Sequence, residues 1–279
     1  MMAVLATATL AAVSCSQKQE AQKVLVLYYS QTSNTKAVAE EIATHLGADI
    51  EEIVPVKPYD GDFQATIGRC MQEREQGITP EIQPVAADLA SYDVIFIGYP
   101  VWFGTFAPPV AAFLDQADLS GKKIVPFCTF GSGGLESSVK DLAAKQPQAE
   151  ILPGYGVRAA RLAAMPNEVE QFLKAGGFIE GEYTLPEDFP EQHEVSEEEA
   201  AIFDTAVGDY PMIHAQAKTV AVRTIPEGTE YQFIAADLPR EDAPKMSDDD
   251  KPKMPPASPM TVYVLVAEGE TPVFTRVVR

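Results

Sequence analysis

The sequence predicts an α/β fold in which a five-stranded parallel sheet, covered by helices on both faces, is followed by a small α+β unit. Three observations support this. Short apolar runs alternate with helical patterns from Lys23 to Gly177. Most of these runs are apolar at consecutive positions, which is typical of parallel strands buried on both faces. After Pro186 the pattern changes to one helix followed by antiparallel hairpins.

The first strand and helix are the most sharply defined elements. Residues 24–29 form a continuous apolar run, Val-Leu-Val-Leu-Tyr-Tyr, which indicates a buried strand. A polar turn over residues 30–34 separates this strand from a helix predicted over residues 35–46, which Gly47 ends. Residues 49–54 are predicted as the second strand.

The rest of the parallel unit repeats this alternation. The predicted elements are a partly helical polar stretch at 60–77, a strand at 94–98, an aromatic loop at 99–106, a helix after Pro108 and Pro109, a strand at 123–130, a helix at 137–144, a strand near Ile151 and a helix at about 167–173. Together these elements form the five-stranded α/β sandwich.

The C-terminal unit begins with a helix predicted over residues 196–207. Ser196 and Glu199 have the spacing of a capping box, which marks a helix N-terminus. Strands are predicted at 215–224, 231–236, 261–267 and 272–278, with a loop rich in Pro, Asp and Lys at 239–259. The chain thus divides into a signal and tether at 1–22, the parallel domain at 23–185 and the α+β domain at 186–279. We expect the last domain to be separable and to lie clear of any cofactor of the first.

The chain is strongly acidic, with a formal net charge of −20. Nucleic acids and anionic lipid surfaces are polyanions, so direct binding to either is not expected. The acidity fits a solvated surface, or one that docks on basic partners. The three cysteines do not form a disulfide framework, and neither they nor the three histidines have metal-ligand spacing, so no metal site is predicted. The sequence shows no catalytic acid, nucleophile or triad.

The N-terminal segment differs from the rest of the chain. Residues 3–14 are uncharged and apolar or small, which suits a signal-peptide core and is too short to span a membrane. Cys15 and a polar stretch follow, an arrangement that resembles a bacterial lipoprotein signal. The resemblance implies lipidation of Cys15 and a cell-envelope location, periplasmic or surface, in which the lipid provides the only membrane contact. The alternative is a frayed tail with a chance cysteine and a cytoplasmic protein.

Three unusual loops follow predicted strands, at the edge where open parallel sheets bind ligands. The first loop consists of Ser30, Gln31, Thr32, Ser33, Asn34 and Thr35. Hydroxyls and backbone N–H groups ahead of a helix N-terminus are what a phosphate dianion needs. Because Ser, Thr and Asn are also the usual helix caps, a simple N-cap turn is the alternative.

The second and third loops suit a flat ring. The second loop consists of Tyr99, Pro100, Val101, Trp102, Phe103, Gly104, Thr105 and Phe106. It carries the only tryptophan of the chain beside two phenylalanines, and such a loop is expected to cover an apolar group such as a flavin. Alternatively, Trp102 packs beneath its own loop or against the second domain. The third loop consists of Thr129, Phe130, Gly131, Ser132, Gly133 and Gly134, whose glycines expose backbone N–H groups suited to a cofactor carbonyl or ring nitrogen.

These loops resemble those of the flavodoxin-like FMN-binding family, in a lipoprotein branch common in gut bacteria. Residues 24–35 look like its phosphate loop, residues 100–104 like its flavin-ring loop, and residues 128–134 like its second ring-contacting segment. The resemblance implies one FMN whose phosphate lies on Ser30, Thr32, Ser33, Asn34 and Thr35. It places the flavin ring near Trp102, Phe103, Gly104, Phe130, Gly131 and Gly134, and it implies Pro100, Val101, Thr129, Ser132 and Gly133 as further cofactor-binding residues. This branch is expected to have a histidine at the position of Phe130. The absence of that histidine would affect catalytic turnover more than FMN binding.

The C-terminal unit resembles the cystatin-like domains appended to such flavodoxins. The helix-then-hairpins order and residues 224–231 carry this resemblance. Cystatin inhibitors have a Gln-x-Val-x-Gly loop. Here Gly228 matches, but Thr224 and Pro226 replace the Gln and Val, so protease inhibition is not expected.

The family resemblance implies an oxidoreductase. Its FMN would take electrons from a nicotinamide or protein donor and pass them to a quinone-like or protein acceptor, while the protein supplies position and electrostatics. One alternative is a non-enzymatic electron carrier, which the acidity favours. Another is an envelope binding protein that recruits a partner through its C-terminal domain.

Overall fold

The computed structural model describes residues 22–183, 186–208, 210, 213–238 and 259–279. The predicted signal segment with Cys15, the boundary at residue 185 and residues 239–258 of the predicted loop lie outside this part of the chain. Within the described ranges, no helix is long and apolar enough to cross a membrane.

The first domain alternates strands and helices as the sequence predicts. Its strands are β1 (Val24–Tyr28), β2 (Asp49–Glu52), β3 (Val94–Trp102), β4 (Thr105–Phe106), β5 (Lys123–Phe130), β6 (Glu150–Ile151) and β7 (Tyr155–Arg158). Its helices are α1 (Asn34–Leu46), α2 (Phe63–Gln76), α3 (Pro108–Gln116), α4 (Leu135–Lys145) and α5 (Met165–Ala175).

The parallel sheet has the order β2-β1-β3-β5, and β6 and β7 both pair with β5 at the far edge. The fifth strand of the predicted sheet therefore consists of two segments, of which the sequence indicated only the one near Ile151. Pro153 and Gly154 separate them, and proline has no N–H with which to continue a ladder. The α/β prediction with a five-position parallel sheet is confirmed.

Helices cover both faces of the sheet. Alternate residues of β1 enter different cores: Leu25 and Leu27 pack on the side of α2, α3 and α4, whereas Val26 packs on the side of α1 and α5. This explains why the strand is apolar at every position, since both of its faces are buried. Strand β2, at the sheet edge, is largely exposed.

The second domain contains one helix and an antiparallel sheet. Its elements are β8 (His193–Glu194), α6 (Glu197–Val207), β9 (Ala215–Ile225), β10 (Gly228–Asp237), β11 (Met260–Val266) and β12 (Val273–Val278). The strand order is β12-β11-β10-β9-β8. The predicted capping box is present, with Ser196 and Glu199 bonding each other's backbone N–H. Helix α6 packs on the sheet, where the rings of Phe203 and Phe233 lie 5.2 Å apart.

Candidate functional site

The three loops meet at the carboxyl edge of the parallel sheet. Strand β1 lies between β2 and β3, so the chain turns to one side of the sheet after β1 and to the other after β3. A crevice opens at such a switch point, and ligands of open α/β sheets bind there. The first loop follows β1, the second follows β3 and the third follows β5.

The first loop leaves donors free at the N-terminus of α1. Ser33 precedes the helix with a φ of 64°, a left-handed conformation, and its side chain makes no capping bond. The simple N-cap turn is therefore not what the described structure contains. The first N–H groups of a helix have no intrahelical acceptor, and together with the helix dipole they favour an anion.

Ser30 has the least usual environment in this loop. Its Oγ is buried and has no hydrogen-bond partner among the described residues. Gln31 holds the loop from the other side, because its Nε2 donates to the Tyr59 backbone oxygen at 2.9 Å and to Thr66 Oγ1 at 2.8 Å. A buried hydroxyl without a partner costs free energy, and a ligand oxygen could remove that cost. The loop thus fits a phosphate by its donors, as FMN requires.

The second loop is a hairpin, which the sequence analysis did not predict. Strand β3 continues to Trp102 and pairs with β4, with Val101 opposite Phe106 and Trp102 opposite Thr105. Phe103 and Gly104 form the two-residue turn with φ values of 53° and 81°. Positive φ at both central residues is typical of a type I′ turn, which matches strand twist, although a phenylalanine rarely adopts it. The turn presents Phe103 to solvent with an exposed fraction of 50%.

Trp102 belongs to a cluster of three aromatic rings. Its indole lies edge-to-face against Tyr59 and Tyr29, with centroid distances of 5.3 Å and 5.9 Å. The Arg69 guanidinium stacks on the Tyr59 ring, 3.7 Å from its centroid. Its Nε also forms an ion pair with Glu73 Oε1 at 2.7 Å. Trp102 is half-buried, so this cluster orients the indole while part of it faces a cavity.

The three loops surround that cavity, which has a volume of about 400 Å³. It is lined by Gln31, Thr66, Ile67, Cys70, Val101, Trp102, Phe103, Gly104, Gly131, Ser132, Gly133 and Tyr210. The volume lies within the range of ordinary cofactor sites, and the lining is largely apolar, as a flavin ring requires. We call this space the ring cavity.

The structure brings only part of the predicted ring-binding set into the ring cavity. Pro100, Thr129, Phe130 and Gly134 are not among its lining residues, and Thr129 and Phe130 are buried. The Phe130 side chain packs in the core beside α3 and α4 and is only 5% exposed. Its buried position explains why an apolar residue is suitable there.

Sequence analysis missed a second set of lining residues. Thr66, Ile67 and Cys70 come from α2, which the sequence indicated only as a partly helical polar stretch. Their spacing of one helical turn, including a lone cysteine in a polar stretch, was the available signal. Tyr210 comes from the second domain and carries no comparable signal.

The expectation that the second domain lies clear of this site is wrong. Tyr210 lines the ring cavity, and the Val277 N–H of β12 donates to the Ser132 carbonyl of the third loop at 2.6 Å. The glycines of that loop permit this approach: a Cβ on Gly133 would lie 2.2 Å from the Val277 carbonyl oxygen. The composition break after Pro186 marks a new domain but does not show where that domain packs.

Burial raises the pKa of the cysteine and tyrosine side chains around Trp102. Desolvation raises the pKa of the Cys70 thiol to about 11, with the nearby Glu73 carboxylate adding to the effect. Desolvation likewise raises the pKa of Tyr29 and Tyr59, and Tyr59 also donates its hydroxyl to Glu73 at 2.6 Å. Of these three groups, Cys70 lines the ring cavity, and its thiol is uncharged at neutral pH.

A second cavity of about 410 Å³ shares Cys70, Trp102 and Phe103 with the ring cavity. Its other walls come mainly from α2, α3 and α4, and the Arg74 guanidinium lies 5.3 Å from the Phe103 ring. The hairpin residues thus separate two adjacent spaces.

Within the described ranges, no group of three or more His, Cys, Asp or Glu residues is arranged to hold a metal.

A family model described as Flavodoxin matches residues 23–171 of the chain. The NAD(P)H dehydrogenase (quinone) of Cupriavidus metallidurans is 39% identical over 97 residues, which cover 34% of this chain and 46% of the relative. A second such enzyme, from Gluconacetobacter diazotrophicus, is 34% identical over 99 residues and is likewise covered to 46%. The chain therefore spans about half the length of the curated relatives it matches.

Among solved structures, a flavoprotein in complex with FMN from Lactobacillus acidophilus is 28% identical. The similarity covers 49% of this chain and 93% of that protein, with a TM-score of 0.45.

Proposed function

Because the chain belongs to the flavodoxin family, whose cofactor is FMN, we propose that the three loops bind one FMN and that the protein is an oxidoreductase. The observation that carries the proposal is the buried, unpartnered Ser30 hydroxyl beside the uncapped N-terminus of α1. A phosphate supplies the acceptor that this hydroxyl and the helix N–H groups lack within the described structure.

We assign the phosphate to the first loop and the ring to the ring cavity. Ser30, Thr32, Ser33 and Asn34 would hold the phosphate, and Thr35 would support them from its buried position. The Val101–Gly104 turn and the Gly131–Gly133 segment, which line the ring cavity, would hold the ring, and Pro100, Thr129, Phe130 and Gly134 adjoin these two segments in sequence. Gln31, which bridges the first loop to α2, fixes the distance between the two subsites.

When bound, FMN supplies the redox chemistry, since its ring accepts a hydride or single electrons. The chain's own residues bind and orient it. Trp102, which packs edge-to-face on Tyr59 and Tyr29, would cover one side of the ring. The pKa of Cys70 lies well above neutral, so the thiol that lines the ring cavity is itself uncharged.

We propose a nicotinamide donor and a quinone-like acceptor. Over about a third of its length the chain is homologous to proteins named NAD(P)H dehydrogenase (quinone), and this supports the pairing. An exposed Phe103 at the mouth of the cavity offers a flat apolar surface for a second ring. A redox protein is the alternative for either partner.

A non-enzymatic electron carrier is the second candidate function, favoured by the net charge of −20. An acidic carrier would dock on basic redox partners through its surface charge. A third candidate is a binding protein that recruits a partner through the cystatin-like second domain, a resemblance that the arrangement of α6 on an antiparallel sheet supports.

We further propose that the protein is a lipoprotein of the cell envelope. The apolar residues 3–14 and the following Cys15 support this, and both lie outside the described residues. Mass spectrometry of membrane fractions tests the proposal. Lipidated Cys15 at the mature N-terminus is expected, and an unmodified full-length chain found only in cytosol would refute it.

Anaerobic titration of the FMN-loaded protein with NADH and NADPH separates enzyme from carrier. For an enzyme, nicotinamide bleaches the flavin absorbance, and adding a benzoquinone restores it and sustains nicotinamide oxidation. If neither nicotinamide reduces the flavin under any acceptor, while a reductase protein does, the carrier is favoured.

A further inference from the structure

The second domain packs directly on the third loop of the cofactor site. The Val277 N–H donates to the Ser132 carbonyl oxygen at 2.6 Å. The third loop thus supplies a hydrogen-bond acceptor to the edge strand β12. Tyr210, which follows α6, lines the ring cavity together with the residues of all three loops. Two separate parts of the second domain thus reach the same loop.

Arg158, at the end of β7, binds both sides of this contact. Its Nε donates to the Gly131 carbonyl oxygen at 2.9 Å, and its Nη1 donates to the Phe274 carbonyl oxygen of β12 at 2.9 Å. The guanidinium also stacks on the Phe274 ring, 3.4 Å from its centroid. Because guanidinium groups hold several fixed donors in one plane, Arg158 sets the position of the third loop relative to β12.

Two glycines of the third loop, Gly131 and Gly133, lie against the second domain. A Cβ on Gly133 would lie 2.2 Å from the Val277 carbonyl oxygen, and a Cβ on Gly131 would lie 2.9 Å from Tyr210 Oη. The Tyr210 side chain could shift to make room at Gly131, but the Val277 backbone could not do so without moving β12. The loop therefore needs glycine at Gly133 because of the second domain, independently of any contact with a cofactor.

We propose that the second domain is part of the FMN site: Tyr210 forms one wall of the ring cavity, and β12 holds the third loop in its binding conformation. This inference rests on the proposed function. A glycine-rich loop loses much conformational entropy when it is ordered, and docking of β12 has already removed that freedom before the cofactor arrives. FMN binding and domain docking are then coupled, and the coupling is reciprocal.

The full-length chain tests this with one substitution and a matched control. Tyr210→Ala removes the cavity wall. Tyr231→Ala removes a half-buried tyrosine that packs on the same domain core, beside Phe233, but does not line the cavity. We expect Tyr210→Ala to raise the Kd for FMN about tenfold and Tyr231→Ala to change it less than twofold. Tyr210→Phe, which keeps the ring, should resemble the wild type.

Hydrogen exchange on the wild-type chain provides a second readout that needs no variant. Saturating FMN should slow exchange at residues 273–278 of β12 and leave residues 229–236 of the central strand β10 unchanged. Equal Kd values for Tyr210→Ala and Tyr231→Ala, with no FMN effect on β12, would overturn this inference while leaving the proposed function intact. Failure of the wild-type chain to bind FMN would overturn both.

Discussion

The hydroxyl oxygens of Thr35 and Thr129 lie 2.8 Å apart in the interior, where they join the start of α1 to the end of β5. The sequence assigns one residue to the phosphate loop and the other to a ring-contacting loop. In the structure the two hydroxyls form a hydrogen bond with each other. This bond fixes the separation of the first and third loops. A buried hydrogen bond therefore connects the loop proposed for the phosphate with a loop proposed for the ring.

We expect Thr129→Val to destabilise the protein by about 1–2 kcal/mol, because it leaves the buried Thr35 hydroxyl without its partner. Urea denaturation measures this. Thr129→Ser keeps the hydroxyl and should lower the free energy of unfolding by less. The double variant Thr35→Val with Thr129→Val should cost less than the sum of the single changes, and simple additivity would show that the two hydroxyls do not interact.

Ser30→Ala should move stability and cofactor binding in opposite directions. Removing a buried hydroxyl without a partner should leave the FMN-free protein equally stable, or more stable by up to about 1 kcal/mol. FMN affinity should fall about tenfold, since the phosphate loses a donor, whereas riboflavin affinity should not change. A loss of stability without FMN would show instead that Ser30 serves the fold.

Trp102→Ala should weaken FMN binding by roughly 1–3 kcal/mol, the range for loss of a buried aromatic contact. Trp102→Phe keeps an aromatic ring against Tyr59 and should lose less. Flavin fluorescence titration measures both, with thermal unfolding as a check on folding. Unchanged affinity in Trp102→Ala would mean that the indole only packs beneath its own hairpin.

Cys70 should behave as a thiol of high pKa. With a pKa of about 11, its alkylation rate in the folded chain should rise about tenfold per pH unit beyond pH 9, whereas the rate in urea should level off there. Mass spectrometry of the Cys70 peptide measures the alkylation rate at each pH. The protonated thiol stabilises the fold fully below pH 9, and this contribution is lost as pH rises toward 11, because only the unfolded chain ionises readily. A plateau near pH 9 in the folded chain would contradict the buried position.

The sequence predicted the sheet and most helices because their signals are local. The apolar run of β1, the Gly47 stop and the Ser196 capping box each depend on neighbouring residues, and all are present. The second loop shows the limit of such signals. Its aromatic residues indicated a ring contact, but the pairing of Trp102 with Thr105 across a strained Phe103 does not follow from composition.

The rest of the site could not be predicted because it depends on contacts between distant parts of the chain. Arg158 meets Phe274 across 116 positions of sequence, and nothing local in either residue indicates this. The sequence indicates only that Gly131 and Gly133 expose backbone donors to a cofactor. The structure adds a steric reason, since both approach the second domain.

Parallel titration of the flavin-free protein with FMN and riboflavin tests the central claim most directly. The two ligands share the ring and differ in the phosphate, so their difference isolates the first loop. We expect micromolar or tighter binding of FMN, about −8 kcal/mol or stronger, with riboflavin at least about 100-fold weaker. Equal affinity for the two would contradict the phosphate site at Ser30 and the start of α1, and no binding of either would contradict the account as a whole.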